Sequence, residues 1–583
     1  MAQERTVPTP AQSDLPTYKV LIGGQEANSA YRLMGITVSK KANRINEAQL
    51  VYLDGDVSAE TFEVSDGDDF IPGMEIEITA GYHGEEESIF KGLVVKQGIK
   101  ITAQGDSVLI VTAKHKVFMA AVKRNNRVFE DCLDSDAIDE IFSDYDIDKD
   151  VEATDVTHEH LVQFNASDWD FAVMRAEMNG QLVLSGTEKI WVKKPDTSVE
   201  KKLALFYGTS LLEFEAEMDA RNTFSTYKVK SWSAADGQPQ EEEKATVSLT
   251  EEGNLSADDM ASSISSAEQS IFYGGFLEPG EMTKLANSKE LRKKLSKIRG
   301  RAKCIGIADL NPGDVIELNG VGDRYNGKAF VGGVRHFIGD GKWETDIEFG
   351  LDPKIHAQVF DDITDKPAAG LLPAVNGLQI GVVAQLENDP KGENRILVKI
   401  PMVNEQNGAV WARVSSLDAG KDRGAFFLPE VGDEVILGFL NDDPRNAVVL
   451  GMLNSSKLPA PLQAKDSNPQ RGFVTREKMK FLFDDEKKVI SIETAAGNKI
   501  TISEEDKAIS IVDQNSNSWK MDSDGISIKS SKDFKVKATG DIKLEGINVE
   551  LKASANLKAE GSGGAAFKSS GITEVKGSMV NIN

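Results

Sequence analysis

From Ile490 onward the 583-residue chain places apolar residues in pairs one residue apart: Ile490/Ile492, Ile500/Ile502, Ile509/Ile511, Trp519/Met521, Ile526/Ile528, Phe534/Val536, Ile542/Leu544, Val549/Leu551, Leu557/Ala559, Ala565/Phe567 and Val580/Ile582. Thr573/Val575 keeps the register with one weak member. The i, i+2 step is the strand period, and the interval between pairs, close to eight residues after Trp519, marks a repeat. Eight residues extend about 26 Å at most, enough for one short strand and a turn but not for a closed coil with three faces. Each strand then carries an apolar stripe that its own chain does not bury. Three chains wound together would bury the stripes on a common axis and pair every strand edge. Residues 476–583 are therefore expected to form an intertwined trimeric β-helix, or β-prism. Its core would be Ile526, Ile528, Phe534, Val536, Ile542, Leu544, Val549, Leu551, Leu557 and Phe567. Gly525, Gly540, Gly546 and Gly571 fall between the strands, where turns need them.

Upstream the pattern changes twice. Residues 17–115 alternate through Tyr18–Ile22, Ile36–Val38, Ala48–Tyr52, Met74–Ile78, Leu93–Val95, Ile99–Ile101 and Val108–Val111, with turn signals between them that include Gln104-Gly105; this predicts an antiparallel barrel. Helical spacing follows at Ile138, Ile141, Phe142 and Tyr145, and again from Ser167, where Asp170 completes a capping box and Asn179-Gly180 closes the helix. Strand patterning returns over 181–232. An acidic, turn-rich stretch, 234–259, reads as an exposed insertion in which Glu241, Glu242 and Glu243 form a solvated surface. A helix over about 281–299, stopped by Gly300, leads into a second strand-rich block ending near Gly350. Five short strands between Gln379 and Gly451 predict an OB-type barrel. The fold class expected is mainly β with a few helices.

Charge narrows the function classes. The net charge is -26; residues 516–583 carry ten lysines and eight acids, so the excess negative charge lies before them. Such a field repels phosphate backbones and argues against nucleic-acid partners. The polar, Pro-rich start and the absence of a long apolar run lead to the expectation of a chain made and assembled in the bacterial cytoplasm without a signal peptide. Cys132 and Cys304 show no CxxC spacing. His158-x-His160 is the single ligand-like histidine spacing and is read as structural rather than metal-binding. No GxSxG, Walker A or HExxH string occurs, so no catalytic residue, cofactor or metal is assigned. Trp411, Arg413, Phe426 and Phe427 in the barrel read as core or subunit contacts rather than a ligand platform.

Three motif groups, in order, resemble the VgrG-type spike proteins of the Rhs-element Vgr family, related to the hub and needle of contractile phage baseplates. They are Gln163–Phe171 with its core Ser167-Asp168-Trp169-Asp170-Phe171, followed by Arg175-Ala176-Glu177; Trp411–Val414 with Phe427–Val435; and the repeats at Gly497–Ile500 and Gly540–Leu544. The resemblance implies a flexible arm at 1–16 and a hub at 17–372. Within the hub it implies barrel one at about 17–115, a helical part at 116–180, a second barrel region at 181–350 and a linker at 351–372. An OB domain at 373–458, a linker at 459–475 and a needle at 476–583 follow. It further implies a homotrimer whose hub meets a hexameric inner tube protein and baseplate proteins. A PAAR-type tip protein would meet Val580, Ile582 and Asn583, effector cargo can be carried, and a target membrane is contacted only mechanically. Phage needles carry a lysozyme domain between OB barrel and needle; about twenty residues stand there in this chain, and the last repeat pair falls within one residue of Asn583, so no enzyme is expected. The particle would be delivered outside the producing cell or into a target. The rival readings are a cell-wall or polysaccharide hydrolase and a tailspike-like adhesin.

Overall fold

Alternation over residues 16–114 builds antiparallel strands at Pro16–Ile22, Arg32–Lys41, Glu47–Leu53, Glu75–Tyr82, Glu85–Ile101 and Ser107–Lys114. Their inward residues, Ile36, Leu50, Ile78 and Val111 among them, are fully buried. The chain is described from a computed structural model that covers residues 15–103, 106–264, 267–403 and 408–582; most of the amino-terminal arm, the Gln104-Gly105 turn and Asn583 lie outside the described residues. Leu93–Val95 and Ile99–Ile101, predicted as two strands, are one: Glu85–Ile101 runs 17 residues and passes a register shift between Val94 and Lys96 without ending.

The second strand-rich block has its own core around Leu205, Ala302, Ile316, Ile347 and Phe349. The two blocks are not separate sheets. Strand Gly327–Gly339 is 13 residues long, and it gives Ala329, Val331 and Val334 to this core but Ile338 to the first. It pairs with Arg32–Lys41, and a single 13-stranded sheet results.

Residues 116–180 are mixed rather than helical. Strands Arg124–Leu133 and Thr157–Ser167 pair as a ribbon, and Asp148–Val151 joins Lys189–Lys193 in parallel. Helix α1 (Asp134–Ser143) buries Ile138, Ile141 and Phe142, and helix α2 (Asp168–Met178) starts at its predicted N-cap, Ser167, whose Oγ accepts from Asp170 N at 3.1 Å. Gly180, at φ 72°, takes the left-handed turn that ends α2. After helix α3 (Ala257–Ile264), helix α4 (Pro279–Ser296) ends before Gly300, which sits inside strand Ile298–Ile305. There a Cβ would stand 2.3 Å from Glu215 O and 2.5 Å from Phe349 Cζ, so the glycine serves strand packing, not helix termination.

The acidic stretch is exposed over 234–239 and at Glu241, as expected, but is strapped down at several of its other acids. Glu242 meets Lys228 at 3.0 Å, Glu243 accepts from Thr283 at 3.2 Å, and Glu251 meets Lys294 and Lys297 of the α4 end at 3.2 and 3.1 Å. Val247 and Leu249 pack on the apolar cluster of Leu182 and Leu291. Glu242 and Glu251 are the counter-charge for lysines that local sequence does not reveal.

One lysine is buried in the amino-terminal unit without a carboxylate partner. Lys40 is 2% exposed and donates to Asn311 Oδ1 at 2.9 Å, and burial pushes its pKa down to about 8, with Asp314 opposing. The folded state therefore holds fewer protons than the unfolded chain between about pH 8 and the ordinary lysine value, and stability rises with pH across that window. Lys40→Met is expected to flatten this rise and to raise Tm at pH 7; thermal denaturation at pH 7, 8, 9 and 10 checks it. An unchanged slope would mean that Lys40 is not its source.

The carboxy-terminal unit begins with the predicted five strands, Gln379–Gln385, Ile396–Lys399, Ala409–Val414, Glu434–Phe439 and Ala447–Met452, closed into a barrel. The third and fifth are parallel and the other described pairings antiparallel, and Val383, Val398, Ala412, Val435 and Val449 fill the interior. Next comes an antiparallel meander of seven five-residue strands from Gln470–Val474 to Gly525–Lys529. It starts inside the predicted linker, and its strands pair within the chain, because connections of two to five residues suit hairpins. From Ser530 to Ile582 no strand pairing forms within the described chain. No described helix is long and apolar enough to cross a membrane.

Candidate functional site

Two places concentrate the residues singled out by sequence: the Ser167–Phe171 motif and the carboxy-terminal repeats. In the motif every side chain has a partner. Asp168 is fully buried and accepts from Tyr145 Oη at 2.6 Å, Gln163 Nε2 at 2.7 Å and Arg127 Nη2 at 3.0 Å. Burial pushes its carboxyl up, but the bonds from Tyr145 and Gln163 and the charge of Arg127 outweigh that and hold it below the usual carboxylate range. Trp169 packs against Phe142 and Phe171 stacks on Phe129. Asp170 accepts from Ser167 Oγ at 2.5 Å and from His356 Nε2 at 2.7 Å.

That last contact was not legible in the sequence. Residues 351–372, expected as a linker, begin as a docked segment. His356 N donates to Glu177 Oε2 at 2.8 Å, Arg124 reaches Asp362 O at 2.5 Å, and Thr364 bridges to Ala166. The motif is thus a clasp between α2 and the chain leaving this unit. The local pattern carries no sign of His356, because a single long-range pair has no periodicity.

The histidine pair separates. His158 is buried between Asp134 at 3.0 Å and Glu281 at 3.5 Å, with Arg175 on Asp134 at 2.5 Å, while His160 is exposed near Glu159. Burial pushes the Cys304 thiol up to about 12, and among the described residues no group of three or more His, Cys, Asp or Glu is arranged to hold a metal. Trp411 is half-buried on the barrel and Phe426 is exposed, while Phe427 stacks on Phe473 of the first meander strand, centroids 5.0 Å apart. Arg476 and Glu430 add an ion pair at 3.1 Å beside that stack.

The repeats carry the more distinctive geometry. Across the meander, Ile490 faces Ile502, Ile492 faces Ile500, Ile511 faces Trp519 and Met521 faces Ile526. Phe481 and Phe483 continue the row through Ile492 and Ile490. These residues share one face of the sheet, and nothing among the described residues covers it: Ile492, Trp519 and Ile526 are 48%, 47% and 68% exposed. Beyond Lys529 the alternation persists without backbone partners. Phe534, Val536, Ile542, Leu544, Val549, Leu551, Leu557 and Phe567 are all exposed, as are Val580 and Ile582. The intervening positions bear Asp533–Lys535 and Asp541–Lys543 ion pairs at 3.4 and 3.7 Å, so apolar and charged residues alternate along the chain as the strand period requires.

Residues 12–340, more than half of the chain, match the family described as Alg8 N-terminal domain, and residues 379–453 match the type VI secretion system/phage-baseplate injector OB domain. The type VI secretion system spike protein VgrG1b of Pseudomonas aeruginosa is 27% identical over 199 residues, covering 31% of this chain and 25% of that protein. The chain thus spans about a quarter of the length of the curated relatives it matches. Among solved structures, a 43 kDa tail protein of prophage MuSo2 from Shewanella oneidensis aligns at a TM-score of 0.44 and 14% identity, over 58% of this chain and 98% of its own. An E. coli protein described as a component of the type VI secretion system aligns at 0.38 and 11%, over 75% and 100%. The resemblance to VgrG-type spike proteins read from the sequence is borne out by the sequence matches.

Proposed function

We propose, from the premise that the chain belongs to the Alg8 N-terminal domain family through residues 12–340, that it is the central spike of a contractile injection system and works as a homotrimer. The observation that carries this reading is the uncovered apolar face running from the meander into a segment whose backbone finds no strand partner among the described residues. Two further copies supply both: side chains meet on one axis, and strand edges pair between chains. Residues 476–583 then form the needle, the five-stranded barrel an OB-type collar, and the amino-terminal unit a hub of two barrel-like halves facing a hexameric inner tube protein and the baseplate. Val580, Ile582 and Asn583 are the contact for a PAAR-type tip protein. The particle, type VI secretion-like or phage-tail-like, is assembled in the cytoplasm. It leaves the cell on contraction, carries effector cargo, and pierces the target envelope by force rather than by catalysis, without cofactor or nucleic acid. The named relatives are spike proteins, so the hydrolase and adhesin readings are not favoured.

Light scattering on the purified full-length chain tests the reading. The expected mass is three times 63.4 kDa, with co-purification of a small ring-forming tube protein from the native host. A stable monomer at micromolar concentration would overturn it.

A further inference from the structure

A cavity of about 360 Å³ in the amino-terminal unit lies between the Lys41–Arg44 turn, helix α4, strand Ile298–Ile305 and the docked segment after Gly350. That volume is near the lower end of small-molecule sites, roughly 300–1,000 Å³. Its walls hold six cations, Lys41, Arg44, Arg292, Arg299, Arg301 and Lys354, against the carboxylates of Glu177, Glu348 and Asp352. The balance is the reverse of the chain as a whole, which carries -26.

Three of the six have carboxylate partners close by: Lys41 meets Glu348 at 2.6 Å, Arg292 meets Glu177 at 2.5 Å, and Arg301 meets Glu213 at 2.9 Å and Asp346 at 3.7 Å. Two are incompletely served. Arg299 gives Nη2 to Glu217 at 2.6 Å and to Asp219 at 3.5 Å, but its Nε is buried and has no hydrogen-bond partner among the described residues. Arg44 donates to Asn43 O at 3.0 Å, lies 3.5 Å from His356 Nδ1 and sits 4.5 Å over the Phe360 ring; none of the three is an anion. Burial pushes its guanidinium below the ordinary value, and the like charge of Arg292 adds to the shift against Glu177 and Asp352. A water could accept from Arg299 Nε but would give Arg44 no hydrogen-bonded anion. A phosphate group answers both needs, because its oxygens accept several N–H bonds at once and match the guanidinium fork.

We propose that this cavity binds a small phosphate-bearing molecule, held by Arg44 and Arg299 with Lys354 at the rim. The site belongs to the hub unit of one chain and stands apart from the spike assignment.

Isothermal titration of the full-length protein with sodium pyrophosphate, against sodium chloride of equal ionic strength, tests it. One saturable site per chain is expected, with Kd below about 1 mM, weakened about tenfold or more in Arg44→Gln/Arg299→Gln. Should that double variant lose its circular-dichroism signature, exposed Lys354→Gln carries the test, with an expected weakening of about threefold. No saturable binding up to about 10 mM, or undiminished affinity in the folded variant, overturns the proposal.

Discussion

Replacing Ile542 and Leu544 with aspartate is expected to leave the carboxy-terminal segment unassembled, protease-sensitive from about Ser530 onward. Burying an Ile or Leu side chain contributes about 1.5–3 kcal/mol. In the proposed trimer, three copies of two such residues on one axis would account for roughly 9–18 kcal/mol of association free energy, before the cost of bringing six carboxylates together in a low-dielectric column. The control lies between them: Lys543, on the alternate, charged register, should tolerate Lys543→Asp within about 0.5 kcal/mol. Limited proteolysis and light scattering of the two variants side by side make the comparison. If the double variant resists protease as the native chain does, the apolar register is not what joins the copies.

The second large effect is expected at Asp168. Asp168→Ala leaves Tyr145 Oη, Gln163 Nε2 and Arg127 facing an empty buried space, and breaking such a charge pair by removing one side typically costs about 3–5 kcal/mol. Because α2 also holds the segment after Gly350 through Asp170 and Glu177, Asp168→Ala should open 351–372 to protease together with a fall in Tm. Acid has the same direction of effect. The carboxyl is held below its unfolded value, so its stabilisation is complete above the ordinary aspartate range and is lost as pH falls through the folded value. Asp168→Ala should therefore remove part of the acid-side slope of a stability curve. A variant with unchanged Tm and an unchanged acid limb would show that this network is dispensable.

Legibility from sequence followed the range of the interaction. The paired residues from Ile490 to Ile528 fell on strands within one residue of their predicted starts, because a two-residue period survives any tertiary context that leaves one face apolar. The capping box at Ser167 was equally local, a matter of four adjacent residues. Gly300 misled, since a glycine after a helical stretch looks like a stop, and its real constraint is the ring of Phe349 nearly fifty positions away. The acidic stretch misled for the same reason: Lys228 and Lys294 lie outside it in the chain but against it in space. The motif was found, but not its work as a clasp, because His356 comes from a distant segment with no pattern of its own.

The charged register of the carboxy-terminal segment has a mechanical consequence. Asp533 with Lys535, Asp541 with Lys543, Lys558 with Glu560 and Glu574 with Lys576 each set opposite signs two residues apart. On the proposed spike, a shaft faced this way would set opposite charges side by side at four of its repeats, and the field of each pair would fall off faster than that of a lone charge. Sliding past lipid headgroups, it would shed no counterions and find no long-range adhesion, so friction on entry should depend little on salt or on the bilayer's own charge.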